Sequence, residues 1–240
     1  MRGRAIVAAA LALAAAGAQA EILLWDNYPG GVLQNAAYNM SSERNTQVIE
    51  STWVADDVDL AQVPGADPAN TLLTRLEWVG ARHPGYGYGA ADVILLDTGL
   101  ATVAELLDLP YSYTDIATNP DLGPNVQAYI GEVTFDPPLA ALTLGEHFYI
   151  GVRLVGDGYF EGRNHSVTSS VDSTLRGRTQ GYTRAAIFGA PYWRPASEVW
   201  YGMPTGNNFE FAFRVYGEII PEPAAVSLLA VGGLLLARRR

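Results

Sequence analysis

Phe209 to Val215 reads F-E-F-A-F-R-V, with three Phe and a Val at every second position and Glu210, Ala212 and Arg214 between them. A period of two is that of a strand with one buried face. His147 to Val155 repeats it, with Phe148, Ile150, Val152 and Leu154 on one side. Thr71 to Val79 places Leu72, Leu76 and Trp78 opposite Arg75 and Glu77. Ala91 to Leu96 is a nearly continuous apolar run, which suits a strand covered on both faces. Shorter patterns predict strands over Ile22 to Trp25, Gln47 to Leu60 (broken), Val126 to Phe135 and Arg184 to Phe188. Ala101 to Leu107 is the one stretch that reads as helix, for two turns at most.

Between these segments lie turn signals: Pro29-Gly30-Gly31, Pro64-Gly65, Asp97-Thr98-Gly99 and Gly156-Asp157-Gly158. Many short strands, glycine- and proline-rich turns and almost no helix predict an all-β fold. The expectation is an antiparallel β-sandwich, jelly-roll-like, over Glu21 to Gly217.

The two ends follow other rules. Arg2 and Arg4, the apolar Ala5 to Ala16 and the small-x-small Ala18-Gln19-Ala20 make residues 1–20 a secretory signal peptide, cut by signal peptidase before Glu21. At the other end, residues 218–240 contain Pro221-Glu222-Pro223, an uncharged run from Ala224 to Ala237, and Arg238, Arg239 and Arg240. The prolines end the preceding strand. The apolar run reads as a short hydrophobic helix seated in lipid, and the terminal arginines favour the cytoplasmic side. Fourteen residues at ~1.5 Å each reach about 21 Å, short of a ~30 Å hydrocarbon core, so a buried core helix is the rival by length alone.

The three parts, in that order at the terminus, resemble the PEP-CTERM sorting signal of exported bacterial proteins. The resemblance implies processing by an exosortase-type membrane protease. It also implies an exported chain, anchored transiently by its C-terminus and then placed at the cell surface or released.

Ten arginines face twenty-five carboxylates between Glu21 and Glu222, a net −15 with no lysine anywhere. That balance excludes nucleic-acid binding. It also repels anionic headgroups, so membrane contact is expected only through the C-terminal helix. Without cysteine the chain has no disulfide or thiolate chemistry.

The body shows a recurring order of segments: Trp53 to Val58, Leu73 to Gly80, Val93 to Gly99, Leu144 to Val152 and Phe211 to Gly217. This is similar to a group of uncharacterised exported β-sandwich domains that precede PEP-CTERM tails. It brings no catalytic residue with it. It implies a component of the cell surface or extracellular matrix.

Candidate chemistry is sparse. His83, His147 and His165 lack metal-ligand or metalloprotease spacing, and no nucleophile elbow or phosphate-binding loop is present. The expectation is therefore a protein that is not an enzyme, without catalytic residues or cofactor. Asp56-Asp57-x-Asp59 admits two readings: carboxylates for a structural Ca²⁺, or a polar strand face and turn. Tyr192, Trp193, Trp200 and Tyr201 fall within ten residues. They are either a stacking platform for sugars or rings capping the end of the core. Three functions stay open: a structural or interaction protein of the exported surface, a carbohydrate-binding module for exopolysaccharide, and a secreted hydrolase.

Overall fold

The computed structural model describes residues 20–27, 39–45, 51–82, 88–117, 126–156, 164–170, 181–186, 189–199 and 210–221. Its strands are β1 (Ile22–Asp26), β2 (Asn39–Ser41), β3 (Glu43–Asn45), β4 (Thr52–Asp59) and β5 (Thr71–Arg82). Then come β6 (Tyr88–Leu96), β7 (Thr102–Leu109), β8 (Ser112–Asp115), β9 (Gln127–Ala140) and β10 (His147–Gly156). The last are β11 (Asn164–Ser170), β12 (Tyr182–Ala185), β13 (Ala190–Pro195), β14 (Glu210–Phe211) and β15 (Phe213–Ile219). A single helical turn, α1 (Ala196–Val199), follows β13.

The strands form two sheets. In the first, β5 is the hub: β9 follows one edge from Leu72↔Ala140 to Arg82↔Gln127. The other edge is shared, β15 pairing with Thr71 to Trp78 and β11 with Gly80 to Arg82. β1 lies outside β15 and β8 outside β9, while β2 and β14 pair with β11. The second sheet runs β13-β12-β4-β10-β6-β7, with β3 parallel to the end of β10. All other pairings are antiparallel. The architecture is an all-β sandwich of mostly antiparallel sheets.

One buried cluster joins the inner faces: Val54 and Val58 of β4, Phe148, Ile150, Val152 and Leu154 of β10, and Leu76, Trp78, Tyr129, Phe211, Phe213 and Val215 of the opposite sheet. The expected alternation of Phe211, Phe213 and Val215 and of the four β10 residues is present, but the expected single strand over Phe209–Val215 breaks at Ala212 into β14 and β15, which pair with different strands, and Phe209 lies outside the described residues. Ala91 to Leu96 is buried throughout, as a continuous apolar run requires. The far face of β10 is buried as well, with Tyr149 and Arg153 on it.

Two local expectations change. Thr102–Leu109 is a strand, where Ala101 to Leu107 reads as helix. β6 presents an open edge whose backbone groups need partners. Two bulges in the β6–β7 ladder let the irregular apolar spacing of β7 satisfy them. In β5 the residue packed with Leu76 and Trp78 is Leu73, and Leu72 is only half-buried. The ladder shifts between Leu73 and Arg75, and that extra residue flips the face of everything before it.

Across β5 and β9 the register pairs Trp78 with Gly131 and Gly80 with Tyr129. Each ring lies over the glycine opposite, so that a Cβ on either glycine would land inside the facing ring. Trp78 Nε1 donates to the Tyr129 hydroxyl at 3.3 Å.

Candidate functional site

Asp56, Asp57 and Asp59 all lie on β4 and are buried, yet each does something different. Asp56 shares the inward face with Val54 and Val58. Its Oδ1 accepts from the Asp57 amide at 2.9 Å and its Oδ2 from the Phe211 amide on β14. Burial pushes its carboxyl well above the usual aspartate range, and the charges of Asp57 and Glu210 push the same way. Asp57 points outward, where its Oδ2 meets His147 Nε2 at 2.9 Å. Asp59 caps the turn Leu60–Gln62, accepting from the Ala61 amide at 3.2 Å and from Gln62 Nε2 at 2.9 Å. The arrangement is that of a strand face and turn. Among the described residues no group of three or more His, Asp or Glu is placed to hold a metal ion.

The outer face of the second sheet carries a second buried layer. Trp53, Ala55, Ile94, Leu96 and Tyr149 pack together there, with Tyr182 and Trp193 against them. His147 opens β10 as a strand-end residue and its ring lies 5.5 Å from that of Tyr149, which meets Tyr182 edge-on at 5.3 Å. Beside this row lies an ion lattice. Asp92 of β6 is fully buried and accepts from Arg44 Nε at 2.6 Å, Arg44 Nη2 at 3.0 Å and Arg153 Nε at 2.7 Å. The Asp108 amide adds a further donor at 2.9 Å. Burial alone raises the Asp92 carboxyl; the Arg44, Asp108 and Arg153 contacts outweigh it and hold the group below its usual range. The Arg153 guanidinium also sits 3.8 Å above the Trp53 ring. With four donors on one carboxylate, the lattice is saturated. Its chemistry is structural.

The predicted aromatic site is only partly described. Tyr192 and Trp193 are neighbours on β13 and face opposite ways: Tyr192 is 78% exposed, while Trp193 packs against the buried outer layer with Arg184 5.2 Å from its ring. Trp193 Nε1 is buried and has no hydrogen-bond partner among the described residues. The two rings do not form one platform. Trp200 and Tyr201 lie outside the described residues, as do His83 and the His165 side chain. Of the residues expected to form the sorting signal, Pro221 is described; Glu222, Pro223, Arg238, Arg239 and Arg240 lie outside.

The end of the first sheet holds a feature that sequence patterns do not reveal. β1 and β15 are antiparallel neighbours, with Ile22 opposite Gly217. The chain therefore enters and leaves the body at the same place. A cleft of about 650 Å³ lies there, lined by Ala20, Ile22, Pro64, Asn70, Ile220 and Pro221 among others. The Ile220 amide donates to the Asn70 carbonyl at 2.7 Å, which carries the pairing past the end of β15. Glu21 is tied to Arg75 Nη2 at 2.7 Å and to the Thr74 hydroxyl at 2.7 Å; the Arg75 bond above all holds its carboxyl below the usual range.

Sequence reasoning missed the ion lattice and the meeting of the two ends. A signal for the first exists, because Asp92 and Arg153 are isolated charges inside apolar strands and need partners. None exists for the second, which depends on which strand pairs with β1. No protein-family model matches the chain, and no curated protein or solved structure matches it.

Proposed function

We propose that this chain is an exported protein of the cell surface or extracellular matrix. Signal peptidase removes residues 1–20, an exosortase-type protease processes the PEP-CTERM signal in residues 218–240, and the body serves a structural or interaction role. The observation that carries this reading is the position of β15. It sits inside the first sheet, between β1 and β5, and ends at Ile219, two residues before Pro221. A cut beyond Pro221 removes none of the described strands, and the uncharged run that would serve as the membrane segment begins in sequence only at Ala224. Among the described residues no helix is long and apolar enough to cross a membrane.

The body is read as jelly-roll-like. Support comes from strand order: β1-β15-β5-β9 in one sheet and β4-β10-β6-β7 in the other, a chain path that crosses repeatedly between sheets as two Greek keys do. Buried carboxylates that each have their own partners support a scaffold in preference to a hydrolase.

Mass spectrometry of the protein recovered from outside the producing cell tests the reading. The expected product starts at Glu21 and ends near Pro221-Glu222-Pro223. Mature material that still carries Arg240 would overturn it.

A further inference from the structure

The apolar groups at the shared exit of both chain ends form a surface of their own. Ile22 opens β1 and is 38% exposed, and Ile220 follows β15 and is 44% exposed. Leu142 belongs to the same end: Ala140 pairs with Leu72 at the start of β5, and the next turn, Ala141–Thr143, lifts Leu142 to 66% exposure. Ile22 and Ile220 thus line the cleft where the chain enters and leaves, and Leu142 stands on the turn after β9 at the same end of the sheet. Elsewhere single exposed apolar residues need no account, but a cluster at one end does.

The chain itself indicates what covers this end. The uncharged run begins at Ala224, three residues beyond Pro221. Three residues span at most ~10 Å. While that run is in a bilayer, Pro221 and the cleft it lines with Ile22 and Ile220 are therefore held within about that distance of the lipid interface. Interfacial contact buries apolar side chains ~5–10 Å deep, which is the same range.

From this we infer that the end of the sandwich bearing Ile22, Leu142 and Ile220 seats on the membrane surface while the tail is inserted. The inference rests on the sorting-tail reading above and adds a contact made by the body. The lipid it fits is zwitterionic. Asp67, Glu146 and Glu218 lie at this end, and Arg75, which holds Glu21 beside Ile22, is also occupied by Glu132 and Glu77. Among the described residues at this end, no further arginine stands ready to hold an anionic headgroup. Seating also orients both processing points, Ala20–Glu21 and Pro221, towards the membrane plane.

The absence of cysteine makes the test direct. Single-cysteine variants Ile220→Cys, Leu142→Cys, Ala117→Cys and Leu229→Cys of the chain from Glu21 to Arg240 carry an environment-sensitive fluorophore in phosphatidylcholine vesicles. Ala117 is exposed beside Ile116, whose amide bonds the Ala128 carbonyl at the opposite end of the sheet, and serves as reference. Leu229 reports on the tail. The expected result is quenching by nitroxide lipids at 229, 142 and 220, with iodide access at 142 and 220 several-fold below that at 117. Quenching at 229 with 142 and 220 as iodide-accessible as 117 would overturn the seating and leave the tail reading standing. No quenching at 229, 142 or 220 would overturn both.

Discussion

Asp56 on β4 and Phe211 on β14 are joined across the sandwich: the Phe211 amide donates to Asp56 Oδ2 at 2.5 Å. One residue belongs to each sheet, and both are fully buried. The bond satisfies an amide that sits where β14 ends, before the ladder resumes at Phe213.

Burial, with Asp57 and Glu210 nearby, raises the folded pKa of Asp56, so the native state keeps a proton that the unfolded chain has released. The stability this group contributes is complete below the unfolded aspartate value of about 3.9 and is lost as pH rises through the folded value. Asp56→Asn cannot titrate. In urea melts at a series of pH values, the wild type should lose stability relative to Asp56→Asn as pH rises from about 4 towards 8. A difference that stays constant with pH would mean an ordinary pKa.

Phe211 and Phe213 are buried with their rings 6.4 Å apart and nearly parallel. Either ring truncated to alanine should cost about 3–5 kcal/mol, read as a lower denaturation midpoint at unchanged m-value. A neutral Phe213→Ala would contradict the packing.

Gly80→Ala should be destabilising by about 1–3 kcal/mol, because the new methyl displaces the Tyr129 ring and its bond with Trp78. Gly89→Ala is the control, since nothing lies within 4 Å of its Cβ position. Thermal melts of the two variants should separate clearly.

Arg153→Ala removes one of the two guanidinium partners of a fully buried carboxylate. The expected loss is about 3 kcal/mol, much of it from leaving Asp92 under-compensated. Added salt should change this loss little, since buried pairs are weakly screened. A loss that vanishes in 1 M salt would place the pair at the surface.

Trp193 and Tyr192 should behave differently although they are adjacent. Trp193→Ala should lower the melting temperature, because its ring covers the buried layer over Trp53 and Tyr149. Tyr192→Ala should leave it unchanged. If instead Trp193→Ala folds as stably as wild type and loses binding to a polysaccharide column, the ring is a sugar platform.

The class of fold and the faces of its regular strands are already written in the order of residues. Phe211, Phe213 and Val215, the four aliphatic and aromatic positions of β10, and the apolar run of β6 needed only period and length. Those signals are local, because a side chain's face follows from its parity along the strand. That order also places the charge in the body and the apolar segments at the ends.

The remaining features depend on contacts between distant strands. β7 is a strand because β6 had an edge to fill, and Leu73 replaces Leu72 in the core because a bulge shifts parity by one. Asp56, Asp57 and Asp59 look like one acidic cluster in sequence and have separate partners in space. Asp92 acquires Arg44 and Arg153 from strands 48 and 61 residues away. The chain enters and leaves at one point because β15 pairs with β1, a contact between opposite ends of the chain. Pairing at such separation is set by the summed fit of both sheets, which no window of sequence contains.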